Sequence, residues 1–180
     1  MAVQFDEVLA TATRVLVASP SASLADVAAA AGVSRTTLHL RYPTRQGLLV
    51  ALAHEAMDLV EQAYLEARLS EDQVGVALGR LVELLVPLGP RTEFLLRERS
   101  LDADEGVADR YLELDLPLAA LVERGRASAE LRHDLPTWWL VASLFAAVYA
   151  AWESIADGRL APRDAPALVL TSVLDGMVPR

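Results

Sequence analysis

The run LADVAAAAGVSRTTLHLRYPTRQGLLVAL, residues 24–52, decides how this chain is read. Ser23 stands just before it, and its hydroxyl can accept a free amide at a helix start. Asp26, three positions on, imitates a capping box imperfectly, since the usual partner there is Glu or Gln. Leu24, Val27, Ala28 and Ala31 recur at helical spacing, which predicts a short helix over 24–31. Gly32 ends it, because a tight turn between helices needs the left-handed backbone that glycine adopts without steric cost. Val33 follows as a buried plug. Ser34 caps a second short helix over 35–42, and Pro43 closes it. Thr44 then caps a long helix to about Leu69, with Leu48, Leu49, Leu52, Ala56, Leu59, Val60 and Ala63 along one side.

On either side of this run, only helices are predicted. Phe5–Val17 is amphipathic, with Phe5, Val8, Leu9, Ala12 and Leu16 on one face. It stops at Ser19-Pro20-Ser21, because proline lacks the amide a helix must donate. Further helical patterns cover 72–88, 92–100, 105–126, 136–157 and 164–178. Breaks fall at Gly89-Pro90, 102–104, 132–136 and 158–162. No alternating strand pattern, repeat or low-complexity tract interrupts them. The expected fold is all-α, with about nine helices. A three-helix head over residues 1–47 would precede a helical body over 48–180.

Two short helices joined by a glycine turn form the helix-turn-helix pattern, whose second helix presents its first polar residues to the DNA major groove. Arg35 can offer a bidentate fork to guanine, or stand as a solvated surface residue. Thr36 and Thr37 can bond a base edge or a phosphate. Amides at the starts of the second and fourth helices can hold phosphates, and Arg45 is placed to add charge there. Charge distribution is compatible with this. The chain carries net −9, yet residues 1–47 are net +1 and residues 48–180 net −10. Between Val33 and Arg45 there are three arginines and no acid. A basic spot on an acidic body can direct a polyanion to one face.

At these residues the segment resembles the signature of the TetR (tetracycline-repressor-like) family. The matching positions are Ala28, Gly32, Val33, Ser34, Arg35, Thr37, Leu38, Tyr42, Pro43, Thr44, Arg45, Leu48 and Leu49. The resemblance covers roughly residues 5–55. It departs from the family at His39, where tyrosine is usual, at Arg41, often aromatic or histidine, and at Arg45, where lysine is expected. The glycine usual before the second helix is missing. The resemblance implies a transcriptional repressor that binds a palindromic double-stranded DNA operator as a homodimer. Ser23, Ser34, Arg35, Thr36, Thr37, His39, Arg41, Tyr42 and Arg45 would meet DNA, with Tyr42 part core and part phosphate contact. The last two helices, Trp139–Ala156 and Ala165–Met177, would make the dimer.

The resemblance also implies a ligand-sensing body. Trp138, Phe145 and Trp152 are spaced by seven, with Tyr149 on the same face, a stripe that can line a cavity, a partner helix or ordinary core. With Phe94, Leu95, Tyr111, Leu114 and Leu118 these aromatics could line a pocket for a small apolar or amphipathic effector. Glu153 or His133 could orient a polar group in it.

Other classes find less support. Cysteine is absent and the three histidines are scattered, so no metal set, cofactor motif or nucleophile stands out. The alternative is a helical protein of this fold that has lost DNA reading and acts by binding proteins or ligands. The N-terminus shows no secretory leader, and the longest apolar stretch, about 15 residues, is short for a membrane span. The expected location is the cytoplasm.

Overall fold

The computed structural model describes residues 5–177. Among the described residues are ten α-helices, two short 3-10 turns and no strand: α1 Phe5–Ala18, α2 Leu24–Ala30, α3 Arg35–Arg41, α4 Arg45–Ala67, α5 Val74–Leu85, α6 Gly89–Arg97, α7 Glu105–Leu114, α8 Leu116–Ala127, α9 Thr137–Ala156 and α10 Ala165–Met177. The side chain of Phe5 and residue Val178 lie outside the described residues. The 3-10 turns cover Val86–Leu88 and Arg99–Ala103.

The chain divides into two compact units, one of residues 1–58 with 90–109 and one of residues 59–89 with 110–180. Residue 47, the expected end of the head, lies within the first. In that unit α2 packs against α1 and α3. Its core holds Val8, Ala12 and Leu16 of α1, Val27 and Ala28 of α2, Leu38 of α3, and Leu48, Leu49, Leu52 and Ala56 of α4. These are largely the helical-period positions of the sequence, as burial of one apolar stripe per helix requires. Arg91 of α6 donates to Glu55 of α4 at 3.0 Å, an ion pair with both partners mostly shielded.

In the second unit α9 packs against α10 and α8, and α5 against α10 and α8. Gly89 and Gly125 are points of close approach. A Cβ on Gly89 would stand 2.4 Å from the Trp152 ring, and one on Gly125 2.7 Å from Leu131.

Three expectations change. The single helix predicted over 105–126 is two helices, α7 and α8, broken at Asp115. Pro117, in the first turn of α8, supplies the reason: it has no amide to continue α7 and its ring opposes the carbonyl four residues back. The break predicted at Gly89-Pro90 is instead the start of α6, where proline's fixed φ suits the first turn. Finally, α9 runs 20 residues and by length and composition could cross a membrane, unlike the 15-residue stretch considered in the sequence.

Candidate nucleic-acid interface

The helix-turn-helix is built by local capping. Ser23 Oγ accepts from the Asp26 amide at 3.2 Å, while the Ser23 amide and hydroxyl both donate to Asp26 Oδ2, at 2.8 and 2.7 Å. The capping box is therefore complete, although aspartate stands where glutamate is usual. These donors, the backbone one first, hold the Asp26 carboxyl below the usual carboxylate range. Gly32 turns the chain with φ +66°, and the Val33 amide donates to the Ala28 carbonyl. Ser34 Oγ accepts from the Thr37 amide at 3.0 Å and shares a hydrogen bond with the Thr37 hydroxyl at 2.8 Å. Losing one such cap costs a helix about 0.5–2 kcal/mol.

Capping sets what α3 presents. Leu38 is buried and anchors the helix, while Arg35, Thr36, His39, Leu40 and Arg41 are exposed. Thr36 and Leu40 lie four apart on one outward face, with Arg35 and His39 beside them. Leu40, 79% exposed, was not singled out in the sequence. A large aliphatic side chain in water on a DNA-reading helix is the signal that marks it, since such a group can meet a thymine methyl.

Two candidates have partners within the fold. Tyr42 is buried at the C-terminal end of α3. Arg45, the first residue of α4, donates to the carbonyl oxygens of Ala22 and Pro20 in the segment leading into α2. Its guanidinium thus ties the start of α4 to the start of the helix-turn-helix. Ser23 and Ser34 use their hydroxyls as caps, and the Thr37 hydroxyl is shared with Ser34.

The expected effector residues are dispersed. Phe94 is buried in the first unit, beside a small pocket it shares with Leu16, Val17 and Pro20. Leu95 also lies in the first unit, and the other seven lie in the second, where Leu114 is buried. Leu118 is core, Tyr111 and Trp138 are exposed, and Phe145, Tyr149 and Trp152 are half-buried. The inward face of α9 is instead Leu140, Val141, Leu144, Val148 and Ala151. Glu153 accepts from the Tyr149 hydroxyl at 2.6 Å, and His133 is exposed.

The second unit does hold a groove of about 570 Å³ between α4 and α8. Glu61, Tyr64, Leu65 and Arg68 line it from one side of the sequence, Pro117, Ala120, Leu121 and Arg124 from the other, and Leu69, Ser70 and Glu71 complete the lining. Glu61, Tyr64 and Leu65 share one face of α4, and Pro117, Ala120, Leu121 and Arg124 one face of α8, while Arg68 follows the end of α4 with φ +52°. Tyr64 is 4% exposed and its hydroxyl has no hydrogen-bond partner. Burial first, and then the nearby Asp115 and Tyr111, raise its pKa well above the usual phenol value. The sequence reading missed this groove, because Tyr64 looks like one more core residue on the α4 face.

No family model matches the chain. Over 172 residues it is 37% identical to the HTH-type transcriptional repressor LfrR of Mycolicibacterium smegmatis, covering 95% of this chain and 88% of that protein. It superimposes on the TetR-like transcriptional regulator LfrR from Mycobacterium smegmatis in complex with proflavine with a TM-score of 0.81, at 32% identity, covering 98% and 97% of the two chains. The ketosteroid transcriptional regulator KstR2 of Mycobacterium tuberculosis shares the fold, with a TM-score of 0.73 at 16% identity over 97% and 95% of the chains. The chain belongs to the TetR family of DNA-binding transcriptional regulators, on the repressor side of it. This likeness favours DNA reading over the alternative of a fold that has lost it, and the relatives are regulators rather than enzymes.

Proposed function

We propose that the protein represses transcription by binding a palindromic operator as a homodimer, and releases it when a small apolar or amphipathic effector enters the body. The observation that carries this reading is the doubly capped helix-turn-helix, with Ser23, Gly32 and Ser34 fixing α2 and α3 so that Arg35, Thr36, His39, Leu40 and Arg41 face outward. Residues 1–47 are the reading head and residues 48–180 the effector and dimer body. The complex of LfrR with proflavine supports effector binding by a chain this similar.

Dimerisation falls to α9 and α10. Trp138 and Trp139 of α9 and Leu168 of α10 are large apolar side chains left exposed, as an interface between copies would leave them in one subunit alone. Trp138 and Trp139 stand edge to face, their ring centroids 5.7 Å apart. A second copy covering these faces also accounts for an apolar α9 in a DNA-binding protein, without a membrane. The place of action is the cytoplasm, where the DNA is.

Two copies of α3 in one dimer reach two major grooves about one helical turn apart. Selection of bound duplexes from random DNA tests this. The enriched sites should be palindromes with half-sites spaced by a turn, or a small multiple of it. Enrichment of a single unpaired motif, or no enrichment, contradicts the proposal.

A further inference from the structure

The outward face of α3 carries one side chain that can make no hydrogen bond to DNA. Leu40 is 79% exposed. It cannot turn inward, because Leu38 and Tyr42, two residues to either side, are the ones buried. At about 100° per residue, two residues place Leu40 on the opposite side of the helix. Thr36, one turn earlier, shares that outward face and is exposed as well.

A lone leucine in water is ordinary on most surfaces. This one stands in a stretch, residues 33–45, that holds three arginines and no acid. Such surroundings suit a polyanion rather than an apolar partner protein. The faces proposed for the second copy, on α9 and α10, belong to the other unit and do not include Leu40.

In the major groove the apolar group on a base edge is the 5-methyl of thymine. Leucine packed on it removes apolar surface of both partners from water. Against cytosine or guanine the same side chain would cover the N4 amino group or O6 and return no hydrogen bond. One contact therefore favours the right base and penalises the wrong ones.

We infer that Leu40 is a specificity-determining residue, packing on the 5-methyl group of a thymine in each operator half-site. This rests on the repressor reading above and adds to it a base that the arginine fork of Arg35, suited to guanine, does not read.

The experiment is fluorescence anisotropy of the full chain on its selected operator, with each thymine common to both half-sites replaced in turn by deoxyuridine. That exchange removes the methyl group and leaves pairing and the hydrogen-bonding edge as they were. Wild type, Leu40→Ala and Thr36→Ala are compared, with thermal midpoints measured on the same preparations. In wild type, deoxyuridine at one position of both half-sites should weaken binding about tenfold, the scale of one buried methyl group per half-site. Leu40→Ala should bind the unmodified operator about tenfold more weakly than wild type and lose nothing further at that position. Thr36→Ala should keep the deoxyuridine effect there. An effect that Thr36→Ala removes and Leu40→Ala keeps assigns the methyl group to the threonine and overturns the inference. So does an operator with no thymine common to its half-sites, or a wild type indifferent to deoxyuridine at every one. Leu40→Ala should melt no lower than wild type, since the side chain stands in water and alanine is the better helix former. A clearly lower midpoint would mean that Leu40 packs within the fold, and would overturn the inference too. Operator selection reports separately: enrichment of no duplex over random sinks the repressor reading and this inference with it, whereas specific binding that ignores deoxyuridine sinks only the assignment of Leu40.

Discussion

The Arg45 guanidinium donates to the backbone carbonyl of Ala22, twenty-three residues earlier, and to that of Pro20 beside it. One side chain at the first turn of α4 thus holds the entry to α2. Hydrogen bonds from a charged donor contribute about 1.5–3 kcal/mol. Arg45→Ala should therefore destabilise the protein by about 2 kcal/mol, read by denaturant unfolding. Arg45→Lys should recover only part, because an ammonium cannot fork to two carbonyls in fixed geometry. Operator affinity should fall in both variants with the salt slope unchanged. Each phosphate contact contributes about 0.9 to that slope, so a slope reduced by about one in Arg45→Ala would mean that Arg45 holds phosphate instead.

Gly89 faces the Trp152 ring with no room for a methyl group. Gly89→Ala forces helix backbone or indole to move, and overpacking of this kind costs about 1–3 kcal/mol. The double variant Gly89→Ala with Trp152→Leu should regain part of that loss. Equal stability of Gly89→Ala and wild type would remove the close packing from the account.

The head was readable because its signals are local. Gly32, Ser34 and Pro43 each act within a few residues, so turn chemistry fixes α2 and α3 without knowledge of the rest. The break at Asp115 escaped notice because apolar periodicity runs through it, and Pro117 alone reports it. The face of α9 escaped for another reason. That helix is apolar nearly all round, so periodicity offers two stripes and does not say which points inward. Leu140, Leu144 and Val148 do, while the aromatic stripe does not lie on the buried side. The α4–α8 groove needs two helices about fifty residues apart in sequence, which no local pattern brings together.

Trp139 is half exposed near the start of α9. Trp139→Glu places a charge on the face assigned to the second subunit, where an unpaired buried charge is strongly unfavourable. Light scattering should show wild type as a dimer and the variant shifted to monomer, with operator affinity lost alongside. A variant that stays dimeric would move the interface elsewhere.

The capping box gives a pH signature. Ser23 favours the ionised Asp26 carboxylate, so the folded pKa lies below the unfolded value of about 3.9. A group depressed on folding contributes stability above the unfolded pKa and loses it as pH falls through the folded one. Asp26→Asn should therefore melt lower than wild type at neutral pH, and the gap between the two should begin to close as pH falls below the unfolded value of about 3.9 and vanish only below the lower folded one. A difference that persists unchanged in acid would assign the loss to packing.

The central claim is that α3 reads DNA, and Arg35 tests it most directly. Fluorescence anisotropy with duplex DNA from upstream of the gene, over a series of salt concentrations, gives affinity and slope together. Wild type should bind that DNA well above random duplex, with affinity falling steeply as salt rises. Arg35→Ala should lose about 1–3 kcal/mol on the operator and much less on random DNA, so that discrimination shrinks. Wild-type binding no tighter to any upstream sequence than to random duplex, or an Arg35→Ala variant that discriminates as well as wild type, would contradict it.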